Sequence, residues 1–188
     1  MLAGENRGIR GADRILQEGS LTFTAGMHIA TLSEFVTLNP SPGGARPALG
    51  NVIYNRVDAA VAKVIPALTS SQSYLSSRSL PSPHGSATGH VGDKVFKVGR
   101  TTGLTHGTVT AVGITVGPIG YAPGNCWFNR QLEIVGDNGT LFSDHGDSGS
   151  LILRTTGEVV GLLYAGNGTQ TYACQIADVL SALNCTLI

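Results

Sequence analysis

FSDHGDSGSLIL, residues 142–153, holds Ser148 between two glycines directly before an apolar run that predicts a buried strand. Gly146 lets the backbone approach a reacting carbonyl, so the amides of Gly146 and Ser148 can converge on a developing oxyanion. Gly149 gives the turn its conformational freedom. This pattern indicates a nucleophilic serine with an oxyanion hole. An ordinary Gly-Ser hairpin in a glycine-rich chain can have the same sequence. The stretch alone therefore does not decide between a nucleophilic serine and a simple turn.

Short apolar runs separated by glycine-containing turns surround that stretch from residue 94 onward, and six of them predict a small closed barrel or sandwich. Apolar residues at i, i+3, i+4 and i+7 near the C-terminus predict an amphipathic helix. Two further apolar runs, at residues 28–38 and 57–65, predict strands of a first lobe. We therefore expect an all-β protein with a partial N-terminal lobe at 1–65, a Ser/Pro/Gly-rich linker at 66–93 and a C-terminal barrel with a helix at 94–188.

Composition narrows the classes of function. The chain has 188 residues with 12 Lys and Arg against 12 Asp and Glu, so its formal net charge is zero, which argues against nucleic-acid binding by bulk electrostatics. No apolar run approaches the ~18 residues of a membrane span, and the compartment stays open. The cysteines Cys126, Cys174 and Cys185 lack zinc-site spacing, although one disulfide remains open. No phosphate-binding or metal motif occurs, so we expect neither metal nor cofactor.

Three stretches in chain order resemble the trypsin-like serine peptidases of the chymotrypsin fold. GDSGSL, followed by a strand, the EVVGLLYAG strand and a helix, resembles the region of the family's nucleophile. KVFKVGRTTGLTHGTV, residues 94–109, resembles the first hairpin of the second barrel, and VDAAVAKV, residues 57–64, resembles the strand start that supplies the triad aspartate. The resemblance implies a two-barrel fold and a serine endopeptidase that acts on peptide or protein substrates.

The resemblance also implies roles for individual residues. Ser148 would be the nucleophile, the amides of Gly146 and Ser148 would form the oxyanion hole, and Asp58 would orient the base. Asp147 would hold the oxyanion loop. The substrate would contact Phe142, at the base of the specificity pocket, and the strand formed by Tyr164, Ala165 and Gly166. An aromatic residue at position 142 favours small or apolar side chains over Lys and Arg.

The histidine of the family has no counterpart at its usual place. In the family it stands upstream of the triad aspartate, and the resemblance in this chain begins just after that point. The chain's own histidines are His28, His84, His90, His106 and His145. We therefore expect an incomplete first barrel that is either partly disordered or has its open strand edges completed by an upstream segment, a second copy of the chain or another protein. The alternative function is a non-catalytic module that binds peptides by strand addition along residues 164–166.

Overall fold

The protein folds into a closed six-stranded β-barrel joined to a smaller three-stranded sheet. The structure is a computed structural model that describes residues 13–17, 27–48, 54–68, 79–122 and 124–187. The predicted all-β architecture with a short C-terminal helix is confirmed. Within the described ranges, the first lobe is an open sheet rather than a closed barrel.

All neighbouring strands of both sheets pair in antiparallel fashion. The small sheet has the order β1-β2-β3, with β1 at Arg14–Gln17, β2 at Met27–Phe35 and β3 at Ala60–Val64. The barrel closes in the order β4-β5-β6-β9-β8-β7, with β4 at Lys94–Gly99, β5 at Gly103–Tyr121, β6 at Gly124–Gly136, β7 at Leu151–Arg154, β8 at Val159–Gly166 and β9 at Gln170–Gln175. Helix α1, Ile176–Leu183, follows β9 directly.

Two apolar clusters support these elements. The first fills the barrel, because alternate residues of each strand point inward; it includes Val109, Leu132, Ile134, Ile152 and Val160, all fully buried. The second lies where the lobes meet and includes Val57 and Ala59 of the first lobe, Phe128 and Tyr164 of the barrel, and Ile176, Val179 and Leu183 of α1. The predicted apolar stripe of the helix is thus buried at the junction. No helix within the described ranges has the length and apolar character needed to cross a membrane.

A long hairpin arm, formed by the far ends of β5 and β6, joins the barrel to the first lobe. The sequence predicted shorter strands here, but β5 has 19 residues and β6 has 13. The amide of Ser41 donates to the carbonyl of Asn125 (2.8 Å), and the amide of Asn55 donates to the carbonyl of Trp127 (2.9 Å). The segment that leads to Asp58 is therefore hydrogen-bonded to the hairpin arm of the barrel.

Part of the predicted linker is packed onto the barrel. The amides of His84 and Ala87 donate to the carbonyls of Gly157 (3.1 Å) and Val159 (2.9 Å). Gly89 is buried so tightly that an added Cβ would lie 3.2 Å from a methyl carbon of Leu132. Residues 69–78 of the predicted linker lie outside the described residues. Strand β1, which the sequence did not predict, pairs with β2.

Replacing a leucine of the barrel core tests which cluster stabilises the fold. Leu132 is 0% exposed, whereas Leu141 is 48% exposed. We expect Leu132→Ala to lower the free energy of unfolding by about 2–5 kcal/mol, because the cavity cannot fully collapse, and Leu141→Ala to change it by about 0.5 kcal/mol or less. Urea titration of both variants measures the difference, and equal losses would contradict the described core.

Candidate active site

Ser148 lies at an exposed position in the loop between β6 and β7. Gly146 and Gly149 on either side have φ angles of +99° and +89°, a left-handed backbone that glycine adopts without strain. The Ser148 hydroxyl donates a weak hydrogen bond to the carbonyl of Tyr164 on β8 (3.3 Å). The loop thus presents the serine beside the end of β8.

The backbone amides of the loop show which groups are left for a ligand. Five of them donate to acceptors within the protein: Asp144, His145, Asp147, Gly149 and Ser150. Within the described residues, the amides of Gly146 and Ser148 donate to no protein acceptor. The Thr101 hydroxyl binds the carbonyl of His145 (2.7 Å), so the amide of Gly146, on the same peptide plane, points away from Thr101. These are the two amides that the sequence assigned to an oxyanion hole.

Asp147 holds this loop in place. Its carboxylate is fully buried and accepts hydrogen bonds from the Thr102 hydroxyl (2.7 Å) and from the amides of Thr101 (2.7 Å), Thr102 (3.2 Å) and Asp144 (3.0 Å). The ammonium of Lys97 on β4, also fully buried, lies 3.2 Å from it. Burial alone would raise the pKa of Asp147, but the hydrogen bonds outweigh it and lower the pKa to about 2. The predicted structural role of Asp147 is supported by these contacts.

Asp58 lies in the segment that enters β3 and has a different environment. It is 3% exposed and accepts one hydrogen bond from a side chain, the Tyr121 hydroxyl at the end of β5 (2.8 Å). Burial raises the pKa of its carboxyl to about 6, and the bond from Tyr121 opposes the rise only in part. Its amide donates to the sulfur of Cys174 (3.3 Å). The hairpin arm therefore places Asp58 against the barrel.

Tyr164 connects the surroundings of the two predicted catalytic residues. Its carbonyl accepts from Ser148, and its ring lies 4.8 Å from that of Phe128 in the junction cluster. Burial first, and then the charges of Cys174 and Asp58 among its neighbours, raise the pKa of its phenol. Its hydroxyl is buried and has no hydrogen-bond partner within the described residues. Tyr164 thus spans from the serine to the region of Asp58, but it brings no base to Ser148.

No histidine takes the place of the base in the described structure. His28 contacts the Thr31 hydroxyl (3.2 Å), His84 contacts the carbonyl of Ser82 (3.2 Å), His90 lies beside Arg154, and the ring of His106 lies near that of Phe96. His145, on the serine loop itself, is exposed. None of the five is hydrogen-bonded to Ser148 or Asp58 among the described residues.

Phe142 does not occupy the position predicted for it. The side chain is 1% exposed and packs in the barrel core, with the Lys97 ammonium 6.0 Å from its ring centre. Because the side chain of Phe142 is buried in the core, it does not line a surface pocket. The substrate preference for small or apolar side chains, which was inferred from Phe142, is therefore not supported. The next residue, Ser143, is half-buried, and its hydroxyl lies 2.6 Å from that of Thr171 on β9. The sequence contains no local signal that would pair these two residues.

The end of β8 has a backbone edge beside Ser148 that pairs with no described strand. The amide of Asn167 donates to the carbonyl of Gln170 on the β9 side (3.0 Å). Because hydrogen-bonding directions alternate along an antiparallel strand, the amide and carbonyl of Gly166 point to the opposite edge. The carbonyl of Tyr164 faces the same edge, where Ser148 contacts it. Of the predicted substrate strand, Tyr164 is buried, Ala165 is half-buried and Gly166 is exposed.

The pKa of Asp58 predicts how stability depends on pH. A carboxyl whose pKa is raised from 3.8 to about 6 holds its proton more tightly in the folded protein, so its contribution to stability is greatest below pH 4 and is lost as pH rises through 6. We expect Asp58 to contribute a fall of about 2 kcal/mol in the free energy of unfolding between pH 4 and 7. Urea titrations across this range should show a flatter profile for Asp58→Asn; parallel profiles would contradict the prediction.

Removing the cation of the buried pair tests the support of the serine loop. We expect Lys97→Met to lower the free energy of unfolding by about 3–5 kcal/mol, because the carboxylate of Asp147 stays buried without its partner. The matched control is Lys94→Met, which breaks the exposed pair of Lys94 with Asp137 (3.0 Å) and should cost about 1 kcal/mol or less. Denaturant titration measures both, and equal effects would overturn this role of Lys97.

Comparison with solved structures shows the fold. A glutamic acid-specific serine protease and the chymotrypsin of Cellulomonas bogoriensis each superpose with a TM-score of 0.59 at 20% sequence identity. The first match covers 87% of this chain and 75% of the protease, and the second covers 85% and 75%. The fold is therefore that of the chymotrypsin-like serine proteases, as the sequence predicted.

Comparison of sequences shows the family. The protein NARROW LEAF 1 of Oryza sativa subsp. japonica is 38% identical to this chain over 85 residues, which are 43% of this chain but only 14% of the rice protein. The family model described as the Nal1 C-terminal domain matches residues 78–176, more than half of the chain. Those residues contain all six barrel strands and Ser148, and the chain belongs to the Nal1 C-terminal domain family.

Proposed function

We propose that this chain supplies the nucleophile and the oxyanion hole of a serine peptidase site that hydrolyses peptide bonds. The observation that carries the proposal is the hydrogen bonding of the serine loop: among residues 144–150, only the amides of Gly146 and Ser148 have no acceptor in the described part of the chain. Fixed donors of this kind stabilise the negative charge that develops on a carbonyl oxygen under attack. An ordinary Gly-Ser hairpin does not require a buried ion pair to hold the amides on either side of an aspartate free.

The reaction follows from this arrangement. The Oγ of Ser148 bonds to the carbonyl carbon of the substrate while a base takes its proton, and the oxyanion is held by the two amides. The C–N bond then breaks, and the amine leaves with the proton from the base. Water attacks the acyl-enzyme by the same route and releases the acid. The substrate backbone pairs with Gly166 and the carbonyl of Tyr164, which keeps the scissile carbonyl beside Ser148.

The base is the part that the described chain does not bring to Ser148. We place it on a histidine of another polypeptide segment, since the five histidines of this sequence have other positions. Ser148 opens onto a cleft of about 450 Å³ whose walls include Val98, Leu151 and Leu153, so a further segment has apolar surface to contact. Asp58 is the acid that would orient the incoming imidazole, and an imidazolium would offset the cost of its buried charge.

A second candidate function is peptide binding without cleavage. The observation in its favour is that the Ser148 hydroxyl is turned to the carbonyl of Tyr164, with no base bonded to it in the described residues. In that case the open edge at Gly166 would bind an extended peptide by strand addition, and the oxyanion amides would only add hydrogen bonds.

Chemical rescue separates the two functions. We expect a fluorophosphonate probe to label Ser148 slowly in the chain alone and about tenfold faster with added imidazole, because a free base replaces part of the missing general-base catalysis. Intact-protein and peptide mass spectrometry measure the rate and the modified residue.

Two variants serve as controls for this experiment. Ser148→Ala should abolish labelling, and Ser150→Ala, at a half-buried serine of the same loop whose hydroxyl donates to the carbonyl of Asp147 (2.6 Å), should keep it. Labelling that is absent in a folded sample with and without imidazole would overturn the peptidase proposal in favour of the binding module.

A further inference from the structure

A second groove, of about 610 Å³, begins at the same end of β8 and extends along the outer face of the barrel. Its walls come from residues 114–120 on the hairpin arm, from Ala165 and Gly166, and from Asn167 and Tyr172. It is therefore continuous with the edge to which a peptide would bind. The wall from the arm is mainly apolar and includes Ile114, Val116 and Ile119.

Among the described residues that line this groove, Glu133 is the one with a charged side chain. It pairs directly with Tyr172 across β6 and β9, and Tyr172 pairs with Ala165 across β9 and β8. Directly paired residues share one face of a sheet, so Ala165, Tyr172 and Glu133 form a row leading away from the peptide edge. The row places a carboxylate on the floor of an apolar groove.

The carboxylate of Glu133 has capacity for a further ligand. One of its oxygens accepts a hydrogen bond from the Thr110 hydroxyl (2.6 Å), and no cationic side chain pairs with it among the described residues. Its charge reaches the neighbouring phenol, since burial and then the negative charge of Glu133 raise the pKa of Tyr172. A carboxylate in partly apolar surroundings binds cations more strongly than one in open solvent.

We propose that this groove binds the side chain of a lysine or arginine in a peptide that lies along the edge of β8, with its cationic head on Glu133. The aliphatic stem of such a side chain fits the apolar wall, and its head can contact the carboxylate and the ring of Tyr172. The proposal rests on the proposed peptide edge but needs neither the nucleophile nor a base.

A single amino acid derivative tests the groove apart from catalysis. We expect acetyl-arginine amide, titrated into the isotope-labelled chain, to shift the amide signals of Ile114, Asn167 and Tyr172 in heteronuclear NMR spectra. Acetyl-citrulline amide, its neutral counterpart, should bind about tenfold more weakly, as expected for loss of a charge-assisted hydrogen bond. This comparison uses the unmodified protein, so it does not depend on how a variant folds.

Matched variants then identify the carboxylate. Glu133→Gln should remove the preference for arginine over citrulline, whereas Glu158→Gln, at the turn between β7 and β8, should keep it. Equal affinity for the two ligands, or a preference that survives Glu133→Gln, would overturn the proposal. If fluorophosphonate labelling fails while this preference is present, the peptidase proposal falls and the groove remains; the reverse result overturns the groove alone.

Discussion

The buried carboxylate of Asp147 is the constraint on which the rest of the site depends. A charge with no exposure to water is stable only when its hydrogen-bonding capacity is filled, and here Lys97 and residues of the β4–β5 turn fill it. Because those partners belong to the first hairpin of the barrel, the conformation of the serine loop is set within the barrel. The same network uses the amides around the serine and leaves those of Gly146 and Ser148 for a ligand.

Asp58 presents the opposite electrostatic case. It is nearly as buried as Asp147 but accepts one side-chain hydrogen bond, from Tyr121, and its pKa is raised to about 6 rather than lowered. The carboxylate beside the nucleophile therefore has its charge balanced, whereas no described residue supplies a cation to Asp58. A triad needs its aspartate ionised, and a neighbouring imidazolium provides the charge that favours ionisation.

Local patterns in the sequence predicted the serine loop, the six barrel strands and the terminal helix, because glycine turns and apolar periodicity express those features directly. They could not predict the length of β5, since its far end is stabilised by the first lobe and not by its own sequence. The contact between Tyr121 and Asp58 joins residues 63 apart, and no motif encodes it. The prediction that Phe142 lies at the base of the specificity pocket was wrong. It rested on the place of Phe142 in the chain before the serine, whereas the side chain packs in the barrel core beside Lys97.

In the proposed site, binding and catalysis depend on different parts of the chain. In the proposed peptide site, main-chain pairing along β8 does not distinguish one extended peptide from another, so selectivity has to come from side chains, here the carboxylate of Glu133 in the second groove. Strand β8 and Glu133, together with Ser148 and Lys97, lie within residues 78–176, by which the family is recognised. Asp58 lies outside them. In the proposed mechanism, the barrel therefore carries peptide recognition and oxyanion stabilisation, whereas proton transfer needs both the first lobe and a base.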